Sequence, residues 1–444
     1  MPWNWGWSGT SSSFIYVGVD QTWYAGSSWV RPIVSCSDSC SAQFDFYNSS
    51  SGKAGNFVQV DNLEWTGIEN TATPPGYGAV YAINLHDVQA TYGTSTFVKV
   101  TNNYMHGACI AEDGPENADF IYGYPLGDVL SQITGNVIDG SDDQYYSGGS
   151  CGPIPSGYEL MCGMCSGAGN ISDNYIGYLS NGIVTSNGVT VHDNIFEGMN
   201  SSIDNYTGLG DDHENAYESN GDCNLMLYNN IIRNQPFSGL VVFQMSPNSG
   251  CTSYAFNNLL YNFVSPNGMQ CYESGGGGAC NFFNNTAACG ATGNLKGECG
   301  RATGSDHGNF INNHLITSAS TPIGGSSVSL TTNVTMTEST ATSQGYTSTQ
   351  TYPYSPTAAT NSTVGAGTNE YSSLCSAIAG LNATAGAACQ LDTTDACTYN
   401  TSNHTMSCPL RTQNAQSGSG AWNAGAYLYA AGPNPPTNLT AVVQ

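Results

Sequence analysis

One short motif recurs through the middle of this chain and strongly limits the folds open to it. Each copy has an apolar residue, any residue, a polar or small residue, an Asn and two mostly apolar residues. The clear copies are Val100–Met105, Ile133–Ile138, Ile171–Ile176, Val191–Phe196, Leu227–Ile232 and Ala255–Leu260. A later copy lies at Asn312–Leu315, and weaker copies surround Asn62 and Asn285. From Asn103 to Asn258 the successive Asn residues are 33, 38, 20, 36 and 28 positions apart, which is the repeat length of a solenoid.

The residues around each Asn predict what one repeat contains. Two short alternating stretches flank the Asn, where the chain must turn and the amide can bond to the backbone or to its equivalent in the next coil. A further strand, opened by a small residue as at Gly182 and Gly268, follows. Cys223, Cys251 and Cys280 keep this register, 28 and 29 residues apart. Two or three short strands per coil predict a parallel β-helix.

With this pattern the chain resembles the right-handed parallel β-helix proteins of the pectate-lyase-like architecture, particularly the secreted bacterial ones, over about residues 56–320. A second likeness lies near the end. Arg411 followed by Trp422–Tyr427 is similar to the Arg-Pro…Trp-Asp-x-Gly-Ala-Tyr closing motif of many such proteins, although Thr412 and Asn423 depart from it. The resemblance implies an all-β fold, a right-handed parallel β-helix solenoid with disulfide-stapled terminal caps.

Composition changes along the chain and divides it into four regions. Five of the seven Trp lie in residues 1–55, which we expect to form an N-terminal cap and the first strands. The β-helix is predicted over 56–320, a Ser/Thr-rich loop region over 321–370, and a C-terminal coil, cap and tail over 371–444. The last region contains four cysteines, Cys375, Cys389, Cys397 and Cys408.

The charge balance and the cysteine count exclude several classes of protein. There are 32 acidic residues against 7 Lys plus Arg, a net charge of −25, so binding to nucleic acid or to an anionic membrane is excluded. Sixteen cysteines without a metal-site pattern indicate disulfides and a secreted, extracellular or cell-surface location. No apolar run is long enough to span a membrane. The first residues lack the basic and apolar regions of a signal peptide, so we expect a mature or truncated start.

The densest group of ionisable residues lies between the copies at Asn194 and Asn230. It consists of Asp211, Asp212, His213, Glu214, Glu218 and Asp222. A general acid and base would fit this cluster. So would a Ca²⁺ site with Asp212, Glu214 and Asp222 as hard oxygen ligands. The alternative is a solvated turn whose side chains cap backbone amides. Asp-Asp-His-Glu is similar to the Asp-Pro-His-Glu motif of mannuronan C5-epimerases, which are also β-helices.

A repeated Tyr-Glu-Ser segment suggests a pair of carboxylates. Glu218 and Glu273 would occupy equivalent positions with Gln244 in the coil between them, so two coil spacings would separate them by roughly 9 to 10 Å. That distance is the upper edge for inverting glycoside hydrolysis. The alternative is a polar stack on the outside of the solenoid. The lesser candidates, Asp139–Asp143 and Asp306–Gly308, resemble elements of polygalacturonases only faintly.

Two functions remain open at this point. The first is a secreted carbohydrate-active β-helix protein, a glycoside hydrolase or a related lyase or epimerase, with Asp211–Asp222 and Glu273 lining the groove. Its 27 Tyr and 7 Trp favour a neutral or weakly charged polysaccharide or cell-surface glycan, and its dispersed cations disfavour a pectate lyase mechanism. The second is a non-catalytic adhesin or filament subunit that associates end to end. Cys162 and Cys165 are expected to form a structural disulfide.

Overall fold

Three parallel sheets of eleven strands each form the body of the protein in this computed structural model. Successive strands along the chain belong to the first, second and third sheet in turn, so the chain winds through eleven coils. The described residues are 3–35, 42–48, 53–68, 80–85, 97–108, 118–123, 128–142, 162–165, 168–179, 181–185, 188–199, 215–219, 221–235, 242–264, 267–272, 277–394, 398–407 and 411–429. The predicted parallel β-helix is confirmed.

Every coil contributes one strand to each sheet. The first sheet consists of Trp3–Asn4, Ala42–Asp45, Val80–Asn84, Ala118–Tyr122, Cys162–Cys165, Ile183–Thr185, Tyr217–Ser219, Phe243–Met245, Asn267–Cys271, Glu298–Ala302 and Ile323–Gly325. The second consists of Ile15–Gly18, Val58–Asp61, Val98–Thr101, Asp128–Thr134, Ala168–Ser172, Thr190–His192, Met226–Tyr228, Thr252–Phe256, Ala279–Phe283, His307–Ile311 and Val328–Thr331. The third consists of Ile33–Ser35, Glu64–Thr66, Tyr104–His106, Val137–Asp139, Tyr175–Gly177, Ile195–Glu197, Ile231–Gln235, Leu259–Phe263, Thr286–Ala288, His314–Ile316 and Val334–Met336.

The repeated Asn stands at the tight turn between the second and third sheets. The residue before it has a positive φ, for example +54° at Asn102, +56° at Asp193 and +55° at Asn312. Asn and Asp adopt this left-handed conformation more readily than other non-Gly residues, which explains the Asn-Asn and Asp-Asn pairs in the motif.

The Asn side chains form a continuous buried ladder along the solenoid. Asn136 Nδ2 donates to Asn174 Oδ1 at 3.0 Å, and Asn174 Nδ2 donates to Asn194 Oδ1 at 3.0 Å. The same bond recurs from Asn103 to the last member, Asn333. Each amide also bonds to the backbone, so the ladder satisfies buried polar groups at every turn.

The core consists of columns of inward side chains that stack from coil to coil. In the second sheet one column runs through Val191, Leu227 and Ala255 to Phe282 and Phe310. The rings of Phe282 and Phe310 stack at 4.7 Å between centroids. These residues are fully buried, and the columns form one continuous apolar cluster.

The region after the last coil packs along the side of the solenoid. It contains the helices Glu338–Ser343, Leu374–Leu381 and Ala383–Cys389 and the hairpin Thr398–Asn400 with Thr405–Ser407. Amide bonds attach it to the turns: Asn312 Nδ2 donates to the Thr368 carbonyl at 2.8 Å, and Asn257 Nδ2 to the Leu391 carbonyl at 3.0 Å. Trp422 of the closing motif is fully buried. Near the N-terminus lie the hairpin Tyr47–Asn48 with Lys53–Ala54 and the 3₁₀ turn Gln21–Trp23. A second 3₁₀ turn, Gly140–Asp142, follows the strand Val137–Asp139.

The coils extend beyond the predicted boundary of the β-helix at both ends. Strands Ile323–Gly325, Val328–Thr331 and Val334–Met336 form an eleventh coil within the region expected to be a loop. The first coil lies within residues 3–35. None of the described helices is long and apolar enough to cross a bilayer.

Four disulfides lie within the described residues. They are Cys223–Cys251, Cys271–Cys280, Cys289–Cys299 and Cys375–Cys389. The first joins two neighbouring coils, and the last joins two helices of the C-terminal region. Cys162 is also disulfide-bonded, but not to Cys165 as expected, because the two residues are about 10 Å apart in one extended strand.

His314 in the tenth coil should make the protein sensitive to acid. It is fully buried against Tyr346, and burial lowers the pKa of His314 to about 3. Since an unfolded His titrates near 6.5, stability is lost as the pH falls from about 6.5 toward 3. We expect wild type to lose on the order of 4 kcal/mol more unfolding free energy over that range than His314→Gln. Urea titrations at several pH values measure this difference; parallel pH curves for the two proteins would refute it.

Candidate functional site

The predicted site residues fall into two groups. Asp211, Asp212, His213, Glu214 and Glu273 lie outside the described residues, so their roles stay predictions. Glu218 and Asp222 are described, and they lie in different environments.

Glu218 belongs to a row of polar side chains on the outer face of the first sheet. Tyr217 beside it is an inward core residue, so the alternation of the strand turns Glu218 outward. Its register partners in the next three coils are Gln244, Gln270 and Arg301. We call Glu218, Gln244, Gln270 and Arg301 the first-sheet row.

The register corrects the predicted equivalence of Glu218 and Glu273. Gln270, not Glu273, pairs with Gln244, whereas Gln244 is the partner of Glu218 as predicted. The reason is strand length. Asn267–Cys271 has five residues where Tyr217–Ser219 has three, so the second Tyr-Glu-Ser segment begins after its strand has ended.

Most polar groups in the first-sheet row have partners. Asn215 Nδ2 donates to Glu218 Oε2 at 3.2 Å, and Arg301 makes two bonds to the Glu298 carboxylate at 2.9 and 3.2 Å. The exception is Gln244. Its side chain is only 2% exposed, and its Nε2 has no hydrogen-bond partner within the part of the chain that the structure describes.

An unpartnered buried amide costs free energy, on the order of 1 to 3 kcal/mol. A hydroxyl or carbonyl oxygen that reached Gln244 Nε2, an atom the protein itself covers, would accept its N–H and recover that cost. The row therefore has one carboxylate, two amides and one ion pair in fixed positions at coil spacings of about 4.8 Å. Such groups suit the hydroxyls of sugar residues.

Asp222 lies inside the molecule. Its carboxyl group is fully buried and accepts hydrogen bonds from the hydroxyls of Ser219 and Ser253. Burial raises the pKa of Asp222 above its usual value. Within the described residues no group of three or more His, Cys, Asp or Glu side chains is placed to hold a metal ion. The Ca²⁺ site with Asp212 and Glu214 stays a prediction.

The third sheet carries a charged cluster of which only Asp139 and Asp142 were candidates from the sequence. His106 Nδ1 lies 2.6 Å from Asp142 Oδ2, and His106 Nε2 lies 3.2 Å from Glu64 Oε1. Burial opposes the charged form of His106, but bonds to Asp142 and Glu64 raise its pKa above the usual value. The Tyr399 hydroxyl, from the C-terminal hairpin, donates to Asp139 Oδ2 at 2.7 Å.

This cluster joins the C-terminal region to the solenoid. Tyr104 stacks between His106 and His404 at 4.0 and 4.2 Å, and Arg31 donates to the His404 carbonyl at 3.3 Å. The sequence indicates that His106 and Asp139 lie side by side in neighbouring coils, because each follows a ladder Asn by three positions. These groups bond to one another across the junction between the C-terminal region and the solenoid. We call them the clasp: Arg31, Glu64, Tyr104, His106, Asp139, Asp142, Tyr399 and His404.

The other minor candidates have structural partners. Asp139 and Asp142 belong to the clasp, and Asp306 Oδ1 accepts the backbone N–H groups of Gly277 and Gly278 at 2.9 and 3.0 Å. Asp143 lies outside the described residues.

An open depression near the N-terminus presents aromatic side chains. Its volume is about 430 Å³, and it is lined by Tyr16, Asp20, Trp23, Asp61 and Asn62. Trp23 is 84% exposed. The Tyr16 hydroxyl donates to Asp61 Oδ2 at 2.6 Å, which holds the floor of the depression in place. An exposed indole beside carboxylate and amide groups matches the two faces of a sugar ring, apolar C–H and polar hydroxyl.

Comparison with known proteins gives a likeness in structure only. No protein-family model and no curated protein matches this sequence. Similar solved structures include a GH136 lacto-N-biosidase from Eubacterium ramulus. Its selenomethionine derivative has a TM-score of 0.49 at 12% identity, and its native form 0.44 at 13%. Each match covers 75% of this chain and 60% of that one, so this chain spans less than two thirds of the length of those proteins.

Proposed function

We propose that this protein is a secreted carbohydrate-active β-helix protein, a glycoside hydrolase that binds a neutral or weakly charged polysaccharide along the first-sheet row. The observation that carries the proposal is Gln244, whose buried Nε2 has no partner beside the carboxylate of Glu218. The disulfides agree with an extracellular location.

The charge of the row favours a neutral ligand. Arg301 is the row's one cation, and it already forms two bonds to Glu298. The net charge of −25 would repel a polyanionic polysaccharide, and the row has no free cation to offset that repulsion. The aromatic depression at Trp23 supports the same class of ligand, because indole rings stack on uncharged sugar faces.

Hydrolysis requires a carboxylic acid to protonate the leaving oxygen and a carboxylate to activate water or attack the sugar. Glu218 is the carboxyl group of the row, so we assign one of these roles to it. We assign the second role to one of Asp211, Asp212 and Glu214. His213, between them in sequence, would then orient the second carboxylate.

Replacing Gln244 by Met tests the binding role of the row. Met has a similar length and no polar group, so it removes the unpartnered donor. We expect the free energy of unfolding to stay the same or rise by about 1 kcal/mol, while affinity for the glycan falls about tenfold or more. The measurements are urea unfolding and a binding titration with the best ligand from a glycan array, read with and without Ca²⁺.

The matched control is Gln235→Met, a buried Gln on the third sheet, away from both the row and the depression at Trp23, which should leave binding unchanged. Equal binding by wild type and Gln244→Met would place the ligand elsewhere and refute the row. Release of reducing sugar by wild type supports the hydrolase. Binding without release would favour the non-catalytic adhesin instead.

A further inference from the structure

The solenoid ends in an open coil. The strands of this coil, Ile323–Gly325, Val328–Thr331 and Val334–Met336, pair on one edge with the tenth coil. Among the described residues no strand pairs with their other edges. We call these three strands the end face. Unpaired strand edges are a ready template for another chain.

The core is also open at the end face. Leu330 continues the inward column of Phe282 and Phe310, yet it is 58% exposed, because no further coil covers it. Thr335, below Leu315 in the third-sheet column, is exposed as well. Together with Ile323 they line a depression of about 360 Å³.

The described part of the C-terminal region packs on the flank of the last coil and not over its end. The first helix after the last coil, Glu338–Ser343, buries Ala341 with Leu295 on the flank, and Glu338 Oε1 accepts the Gly293 N–H at 2.9 Å. From there the chain runs back along the solenoid to the clasp.

The end face is uncharged in a strongly acidic protein. Residues 308–337 contain no Asp, Glu, Lys or Arg, whereas the whole chain has a net charge of −25. Two copies that approach through their flanks would repel each other. Two copies that meet through this face bring no charges of these strands together, and the nearest charges, those of Glu298 against Gly324, are offset by the ion pair to Arg301.

We propose that the end face docks the end face of a second copy, related by a two-fold axis. Opposed strands then run antiparallel, so each copy's free N–H and C=O groups pair with those of the other, and both Leu330 side chains leave water. The first coil is a poorer partner. Its inward residue Val17 is only 8% exposed, and Trp5 packs on Phe44 with 5.9 Å between ring centroids, so its core is already closed.

Sedimentation velocity of the intact protein tests this dimer. We expect a monomer–dimer equilibrium that shifts toward dimer between micromolar and near-millimolar concentration. Leu330→Lys should weaken the dimer about tenfold or more, since it places two like charges at the two-fold axis. The matched control is Leu381→Lys, a leucine 50% exposed on the C-terminal helices, which should leave the equilibrium unchanged.

Thermal unfolding of Leu330→Lys and Leu381→Lys checks that both variants fold as wild type does. If Leu330→Lys does not fold, Leu330→Ser, which adds no charge, tests the same contact. A monomer at all concentrations overturns the proposal. So does a dimer that both position-330 variants leave intact. A series of larger polymers would show head-to-tail stacking on the first coil and would overturn it as well.

Discussion

Asn230→Ala is expected to lower the free energy of unfolding by about 4 kcal/mol or more. Asn230 is fully buried in the middle of the ladder. Its Oδ1 accepts the N–H and the Nδ2–H of Asn194 at 3.1 and 3.0 Å, and its Nδ2 donates to the Val191 carbonyl and to Asn258 Oδ1 at 3.0 Å each. Removing the amide loses four hydrogen bonds in a dry interior, at about 1 kcal/mol each, and leaves the Asn194 N–H unpaired. Asn194 Nδ2 keeps its bonds to the Ile171 and His192 carbonyls, and Asn258 Oδ1 still accepts the backbone N–H of residue 230.

Urea unfolding followed by circular dichroism measures this loss. The control is Asn224→Gly in the same coil, an exposed Asn with φ of +60° that Gly adopts without strain. We expect the control to change stability by less than about 0.5 kcal/mol. A loss below about 1 kcal/mol for Asn230→Ala would mean that the ladder is not what fixes the coil turns.

Glu218→Gln is expected to reduce turnover of the polysaccharide about 100-fold or more while binding stays within about threefold of wild type. Gln keeps the size of the side chain and an oxygen that accepts from Asn215 Nδ2, so the strand should fold unchanged. It cannot donate or accept the proton that hydrolysis requires. Steady-state rates of reducing-sugar release, together with a binding titration, separate the two effects.

The matched control for turnover is Glu338→Gln, a carboxylate on the flank that accepts the Gly293 N–H and lies in no sheet. It should release sugar at the wild-type rate. Full activity in Glu218→Gln would exclude Glu218 as the acid or base, even if the polysaccharide still binds over the row.

The fold was predictable because an Asn recurs at the same turn of successive coils. Asn174 and Asn194 each stand at the same turn, so their spacing reveals the coil length directly. The last coil escaped detection because its apolar signal is weak. Thr335 and Thr331 stand in strands where earlier coils have Leu315 and Ile311.

The candidate site was predictable only in part. The alternation around Glu218 and its pairing with Gln244 follow from the repeat. The expected equivalence of Glu273 and Glu218 does not follow from the repeat, because strand Asn267–Cys271 is two residues longer than its equivalent Tyr217–Ser219. The repeat indicates that His106 and Asp139 are neighbours, but not that Tyr399 joins them, since Tyr399 and Asp139 are 260 residues apart and meet only because the C-terminal region folds back along the solenoid.

The central claim is that sugar binds over the first-sheet row. A crystal structure of Glu218→Gln with the oligosaccharide chosen by the glycan array tests it most directly. We predict a sugar oxygen within hydrogen-bond distance of Gln244 Nε2, about 2.7 to 3.2 Å. Sugar bound only in the depression at Tyr16 and Trp23, with no contact to Gln244, would contradict the claim.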